Sequence, residues 1–424
     1  MGGSRWSHRN HEQAIQERRD TLRSLPQFEM DDARIFPPQG DDEVLARYQE
    51  AYVGQMVLPV AVVGPLTLDL GQYDRGGNGD LTETTRTTES VYVPLAHTEG
   101  GLSASVLRGI AVANASGGIH TAVLRDEMTR DSAFVLRDAG EAVRMARWVE
   151  EQAEDLKRWL HDPTNPGYHT RSDDGRALLS RHAPLWEIEA RPVGPTCHLL
   201  YHFGTGEACG PNLMTRNAYG LNSEVTRRLG AIGIRPERVY VEVNMGGDKK
   251  PSWEYAHGGH GKTVMAWITV PDTTVRRYLH VEPRDLVRLE WAGLHGAHAS
   301  GMLSFAFSPA TTVAAVFTAT GQDLGMVGTS SMARSALTAS EDGIAFSIQF
   351  SGIEVGTVGG GTSLPHAQSY LRLMGCTGPG SAQRLAQIIA AVSLCLELSA
   401  ASSMASRGSE NFVRAHLERG GQRP

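Results

Sequence analysis

The run SAQRLAQIIAAVSLCLELSAASSMAS, which begins at Ser381, constrains the fold more than any other feature of this chain. At 3.6-residue spacing it puts alanine, serine and leucine on nearly every face, so a helix built from it has no side to give to water. Other elements must wrap it, which predicts a large domain around a long central helix. Its serines make it read as too polar for a membrane span. The chain has no unbroken apolar run of about 18 residues, so no bilayer crossing is expected.

A second small-residue run, GGLSASVLRGIAVANASGG after Glu99, fits a helix packed closely on every side. Residues 53–70 are rich in Val, Leu and Pro around Gly64-Pro65, which reads as strand and turn. The character changes at 131–240, where helical stretches (141–159, 222–229) alternate with strand-like ones (186–190, 198–203). That alternation predicts a small α+β unit inserted into the larger one. Residues 1–47 are polar, with a thin stripe of Ile15, Leu22 and Leu25 before Phe36-Pro37-Pro38. An arm on a neighbouring subunit and a frayed terminus both fit that pattern.

The 424 residues suffice for two or three domains, and the net charge of −7 disfavours sequence-independent binding of nucleic acid. Cys197, Cys209, Cys376 and Cys395 lack metal-type spacing, and the N-terminus lacks the apolar stretch of a secretory signal. A cytoplasmic protein with reduced thiols and no metal is expected.

Isolated charges sit inside glycine-dense segments: Glu99 in PLAHTEGGLSAS, Asp248, Lys249 and Lys250 in VNMGGDKKPSW, Asp323 in ATGQDLGMVGTSS, and Glu354 in IEVGTVGGGTSLP. Glycine lets backbone approach a ligand closely. A carboxylate entering an apolar helix is costly unless bonded, so Glu99 and Asp323 are either caps or functional groups. On local grounds Lys249-Lys250 reads more readily as a solvated turn than as a functional pair, and His416 as an ordinary surface histidine. The run 256–263, AHGGHGKT, fits a relaxed phosphate-loop pattern, but Thr263 leads into the strand-like VMAWITV. A turn with a surface lysine is the better reading, and nucleotide hydrolysis is rejected.

Taken in order, these segments resemble the hydroxymethylglutaryl-CoA reductase family from about residue 48 to 418, through EAYVGQMVLPVAVVGPL, VPLAHTEGGLSASVLRG, GTGEACGPNLMTRN, VNMGGDKKPSW, ATGQDLGMVGTSS and the histidine tail. The resemblance implies an α+β fold: a large substrate and CoA domain (48–130 and 241–405), an inserted ferredoxin-like dinucleotide domain (131–240) and a tail (406–424). It implies Glu99, Lys249, Asp323 and His416 as catalytic groups. A cofactor loop is implied at Glu207, Ala208, Cys209, Gly210 and Asn212, with Glu207 and Pro211 departing from the family pattern and leaving NADPH or NADH open. Arg108 matches a CoA contact, while Arg130, Asp248 and Lys250 belong to the acyl pocket. Glu242, Trp291 and Thr311 stand where the family carries serine, lysine and asparagine. The expected activity is reduction of 3-hydroxy-3-methylglutaryl-CoA to mevalonate with two NAD(P)H, in a homodimer or higher oligomer with sites between subunits. The departures keep open a reductase for another acyl thioester, on CoA or a carrier protein, and a CoA-ester-binding relative that does not reduce.

Overall fold

A computed structural model describes residues 49–76, 80–170 and 177–419, with isolated positions between 13 and 46. In chain order the principal elements are β1 (Val60–Arg75), β2 (Leu81–Ala96), α1 (Leu102–Ala115), β3 (Ile119–Val135), α2 (Ala139–His161), β4 (Leu185–Val193), β5 (Thr196–Phe203), α3 (Pro211–Ala231) and β6 (Arg238–Val241). There follow α4 (Trp253–Gly258), β7 (Gly261–Pro271), α5 (Pro283–Ala299), α6 (Pro309–Thr320), β8 (Ala333–Ser340), β9 (Gly343–Ile353), α7 (Pro365–Leu373), α8 (Ser381–Ala405) and α9 (Glu410–Arg419). The architecture is α+β. Among the described residues, nine strands share one mixed sheet in the order β2-β1-β3-β7-β9-β8, and β4, β5 and β6 lie off that path.

β3 is the pivot. Its first half runs parallel to β1 and antiparallel to β7, and from Met128 onward it pairs antiparallel with β5, while β6 joins it at 132–135. The strand thus passes from the larger core (Leu66, Val106, Ile268, Ile348, Leu394) into a smaller one (Phe134, Met145, Leu199, Tyr201, Met214). β3-α2-β4-β5-α3-β6 forms a β-α-β-β-α-β run with strand order β4-β5-β3-β6. α3 begins at Pro211, eleven residues before the helical stretch read from the sequence at 222–229. Proline suits a first helical turn because its missing N–H has no partner to lose there. β1 starts at Val60, leaving 53–59 outside the strand.

The central helix is α8, buried on every face. Its polar groups are used rather than exposed. Gln387 accepts from Gly71 N (3.1 Å) and Thr121 Oγ1 (2.8 Å) and donates to Gly71 O (2.9 Å), and Glu397 accepts from Phe307 N (2.6 Å) and Ser308 N (2.9 Å). Satisfied in this way, they cost little to bury. The expectation that α8 is too polar for a membrane is corrected: length and composition would suffice, but 78% of its most apolar window lies inside the fold. α1 crosses α8 so closely that a Cβ on Gly109 would stand 2.0 Å from Cys395 O. Its other side is open at Ala104 and Leu107, so α1 is not packed all round as the sequence suggested. In the N-terminal segment Ile15 is buried and Arg19 Nε donates to Val53 O at 2.6 Å. Leu22, Leu25 and residues 36–38 lie outside the described residues.

Candidate active site

A cavity of about 910 Å³ opens where five segments meet: Arg130 on β3, residues 208–213 leading into α3, the Glu242–Lys249 loop, Gln322 and Asp323 after α6, and the glycine-rich 356–362 stretch. Glu242 (φ 62), Asn244 (φ 77) and Lys249 (φ 58) all hold left-handed backbone without being glycine. Such conformations cost on the order of 1 kcal/mol or more each and persist where the surroundings hold them, commonly at functional sites.

Lys249 Nζ lies 2.7 Å from Asp323 Oδ2. The bond to Asp323 holds the ammonium above its ordinary range, against the opposing effect of burial. Asp323 Oδ1 accepts from Gly325 N at 2.9 Å, which fixes the carboxylate. Arg130 is almost fully buried and uses both arms, NH1 to Glu242 Oε2 (2.7 Å) and NH2 to Asp248 Oδ2 (3.1 Å). Lys250 does not line the cavity, but its Nζ reaches Glu242 Oε1 at 3.0 Å. Glu242 therefore neutralises both cations from within the chain.

Ala208, Cys209, Gly210 and Asn212 line the cavity, and Gly210 (φ 104) turns the chain into α3. Burial pushes the Cys209 thiol well above its ordinary range. Glu207 is placed differently: its carboxylate accepts from Gly380 N and Ala382 N, both at 2.7 Å, and so caps α8. It faces a neighbouring cleft of about 760 Å³. Arg108 is likewise bound to α8, through Ser399 O at 2.6 Å and Ser403 Oγ at 2.7 Å.

Four other sequence candidates do not line this cavity. Glu99 is exposed between β2 and α1, and His416 is exposed on α9 with Nδ1 2.9 Å from Phe412 O. Trp291 is 61% exposed on α5, edge-on to His295, and Thr311 is half-buried at the start of α6. The surface lysine expected in AHGGHGKT is a buried one: Lys262 lies on β7 with Nζ 3.1 Å from Asp126 Oδ1. Thr263 does continue a strand, as expected.

The sequence reading also passed over Gln322 and His260. Gln322 exchanges hydrogen bonds with Gly356 N (3.0 Å) and O (2.9 Å), tying two walls of the cavity together. His260 stands behind Asp248 with Glu354, their ligand-type atoms within 4.8 Å of one another. The signal was present in Glu354, a lone charge among glycines. The trio does not suit a cation. Thr129 N–H donates to His260 Nδ1 at 3.1 Å, so the ring proton sits on Nε2 and offers a metal no lone pair.

Comparison with known proteins gives first the class of fold. Two solved structures of 3-hydroxy-3-methylglutaryl-CoA reductase from Streptococcus pneumoniae superpose with TM-scores of 0.62 and 0.63 at 14% and 15% identity, each covering 94% of this chain and 98% of theirs. The chain thus shares the fold of those reductases. The particular family follows from sequence. The family model for hydroxymethylglutaryl-coenzyme A reductase matches residues 14–420. The reductase of Aeropyrum pernix is 33% identical over 387 residues (89% of this chain, 83% of that one), and that of Haloferax volcanii 30% over 391 (91% and 87%). This chain belongs to the hydroxymethylglutaryl-coenzyme A reductase family and is an oxidoreductase of that kind.

Proposed function

We propose that the chain reduces an acyl-CoA thioester with NADPH or NADH, taking 3-hydroxy-3-methylglutaryl-CoA through a thiohemiacetal and an aldehyde to mevalonate. The observation that carries this is the Lys249–Asp323 pair, set in a cavity whose other walls suit a dinucleotide. Gly359 and Gly360 line that cavity, and nothing lies within 4 Å of where either would carry a Cβ, so bare backbone faces open space. The start of α3, with Asn212 and Arg216 beside it, suits a pyrophosphate. These residues fit a nicotinamide cofactor, which when bound would supply hydride.

The chain's own groups do the rest. Lys249 Nζ steadies the oxygen of the thioester carbonyl as negative charge builds there, and Asp323 keeps the amine charged and aimed. By the resemblance, His416 protonates the departing thiolate and Glu99 supplies the proton for the aldehyde step. Neither lines the cavity of one chain, so a second copy completes the site in a homodimer. On this reading 131–240 is a ferredoxin-like dinucleotide domain, 48–130 with 241–405 binds substrate and CoA, and the tail 406–424 brings the histidine. The test is loss of the reduced-nicotinamide absorbance when pure protein meets hydroxymethylglutaryl-CoA with each cofactor. Two cofactors oxidised per thioester supports the proposal, and oxidation of neither removes it.

A second reading rests on Glu242. Its carboxylate occupies Arg130 and Lys250, the two cations that would otherwise receive a carboxylate on the substrate. The same chemistry on a thioester whose acyl group is neutral or cationic would leave those pairs undisturbed.

A further inference from the structure

Three successive residues of β3 grip the loop that carries Lys249. Thr129 Oγ1 donates to Gly246 O at 2.6 Å, and Arg130 holds Glu242 and Asp248 from the cavity side. Asp131 points to the opposite face, as alternate residues of a strand do. Its backbone O accepts from Glu242 N at 2.8 Å, and its side-chain Oδ2 accepts from Met245 N at 3.2 Å. One residue thus closes both ends of the 242–245 turn. Glu242 and Asn244, both left-handed without being glycine, lie inside that closure. Gly246 follows with its backbone pressed onto β3, since a Cβ there would stand 3.0 Å from Asp131 N.

The carboxylate that makes the Met245 bond is fully buried and has a second donor. His198 Nδ1, on β5, lies 3.1 Å from its Oδ1 and 3.3 Å from its Oδ2. An ionised carboxylate only accepts, so Nδ1 carries the hydrogen. Burial raises the Asp131 carboxyl above its ordinary range, and the charge of Glu242 adds to the rise. The bonds from His198 and Met245 N–H oppose it and keep the group an acceptor. Neither Asp131 nor His198 lines the catalytic cavity. The pair stands behind the loop.

We propose that Asp131 and His198 are positioning residues for the reaction: His198 fixes the Asp131 carboxylate, and the carboxylate fixes the turn from which Glu242 and Lys249 take their aim. The assignment rests on the reductase reading for its effect on turnover. Without the bond to Met245, Asn244 is free to leave its left-handed conformation for one that costs less. Glu242 on one side of it and Lys249 on the other then shift. A displacement of about 1 Å in a group that must meet the reacting oxygen costs on the order of 10²-fold in rate.

Kinetics of two sets of variants test this in the full chain. Asp131→Ala should lower kcat by about 10²-fold. The KM for the nicotinamide cofactor should stay at the parent value, because the bonds of the carboxylate reach His198 and Met245 but not the 208–213 or 356–362 walls. At His198, asparagine returns an amide N–H close to the place of Nδ1, whereas leucine keeps the bulk and removes the donor. His198→Asn should stay near the parent, and His198→Leu should lose about tenfold in kcat, the effect of one hydrogen bond to a charged group. A role in packing alone would rank leucine above asparagine. That ranking, or an Asp131→Ala variant with parental kcat, overturns the assignment. Should Asp131→Ala not fold, the His198 pair decides.

Amide hydrogen exchange reads the same bond without turnover. Residues 242–250 should exchange faster in Asp131→Ala and His198→Leu than in the parent, with α8 unchanged. Parental exchange at 242–250 in these variants overturns the proposal. If the parent reduces no thioester, the reductase reading falls, and exchange alone decides whether the pair holds the loop.

Discussion

Replacing Lys249 with alanine should separate folding from catalysis. The side chains of Lys249 and Asp323 are 46% and 44% exposed, so their 2.7 Å pair is screened by solvent. An ion pair in that setting is worth less than about 1 kcal/mol to stability. The backbone argues the same way, since at φ 58 alanine bears the strain that lysine already bears. In the transition state the balance differs. The ammonium faces an oxygen acquiring charge inside a cavity, and removing one such donor costs roughly 2.7–4 kcal/mol, about 10²–10³ in kcat. Lys249→Ala should therefore melt close to the parent while losing nearly all turnover. Thermal unfolding by circular dichroism and nicotinamide oxidation at saturating thioester measure the two quantities. A variant that keeps kcat within about tenfold of the parent, or loses activity only because it unfolds, would refute the assignment.

Alkaline pH should destabilise the fold through two buried groups of opposite type. Burial opposes charging of His202, but its bonds to Glu127 (2.8 Å) and Glu189 (3.0 Å) outweigh that and raise it to about 9. A raised base stabilises fully below its ordinary value near 6.5 and loses that contribution as pH climbs through 9, on the order of 3 kcal/mol. Glu354, an acid raised to about 8, favours the folded state while protonated and adds a loss in the same direction. The melting temperature should fall from about pH 6.5 to 9 and fall less in His202→Gln; a flat profile would contradict both. Glu242→Ser should free Arg130 and Lys250 and lower KM for a thioester bearing a free carboxylate by about 10–100-fold, each charged contact being worth about 1.5–3 kcal/mol. No gain for such substrates would argue against the pocket as drawn. Gly109→Ala should lower the melting temperature at a cost of about 1–3 kcal/mol, because its Cβ would meet Cys395 O at 2.0 Å with backbone on both sides; a melting temperature at the parent value would contradict that. Mixing inactive Glu99→Gln with inactive Lys249→Ala should restore roughly a quarter of parental activity if sites form between subunits, and mixtures as dead as their components would place each site within one chain.

What was legible in the fold was what local chemistry dictates. The run from Ser381 had no polar face, so it had to be wrapped, and α8 is. The alternation after 131 predicts a separate unit, and a second hydrophobic cluster, from Met128 to Ile234, runs through that stretch. The hand-over between cores was not legible at its true position, because it occurs inside β3, where a continuous strand carries no turn signal. Lys262 was misplaced for a related reason. A lysine between glycine and threonine looks exposed, and only the far-off Asp126 makes its burial tolerable.

The site divides along the same line. Lys249 and Asp323 are 74 positions apart in sequence, and only their motifs gave reason to join them; the strained φ of Lys249 then shows the loop bent to bring the amine inward. Glu207 and Arg108 were read as ligand contacts, yet the backbone N–H groups at the start of α8 and the serines near its end supply their partners. A motif specifies residue type but not what else within reach competes for the side chain. Glu242 shows the consequence in the other direction. As a letter it was a serine lost, whereas in space it is a carboxylate gained between two cations, and a buried arginine with both arms filled resists giving one up. On the proposed reading, a free carboxylate on the substrate has to compete with Glu242 for Arg130 and Lys250, which is the competition that Glu242→Ser measures.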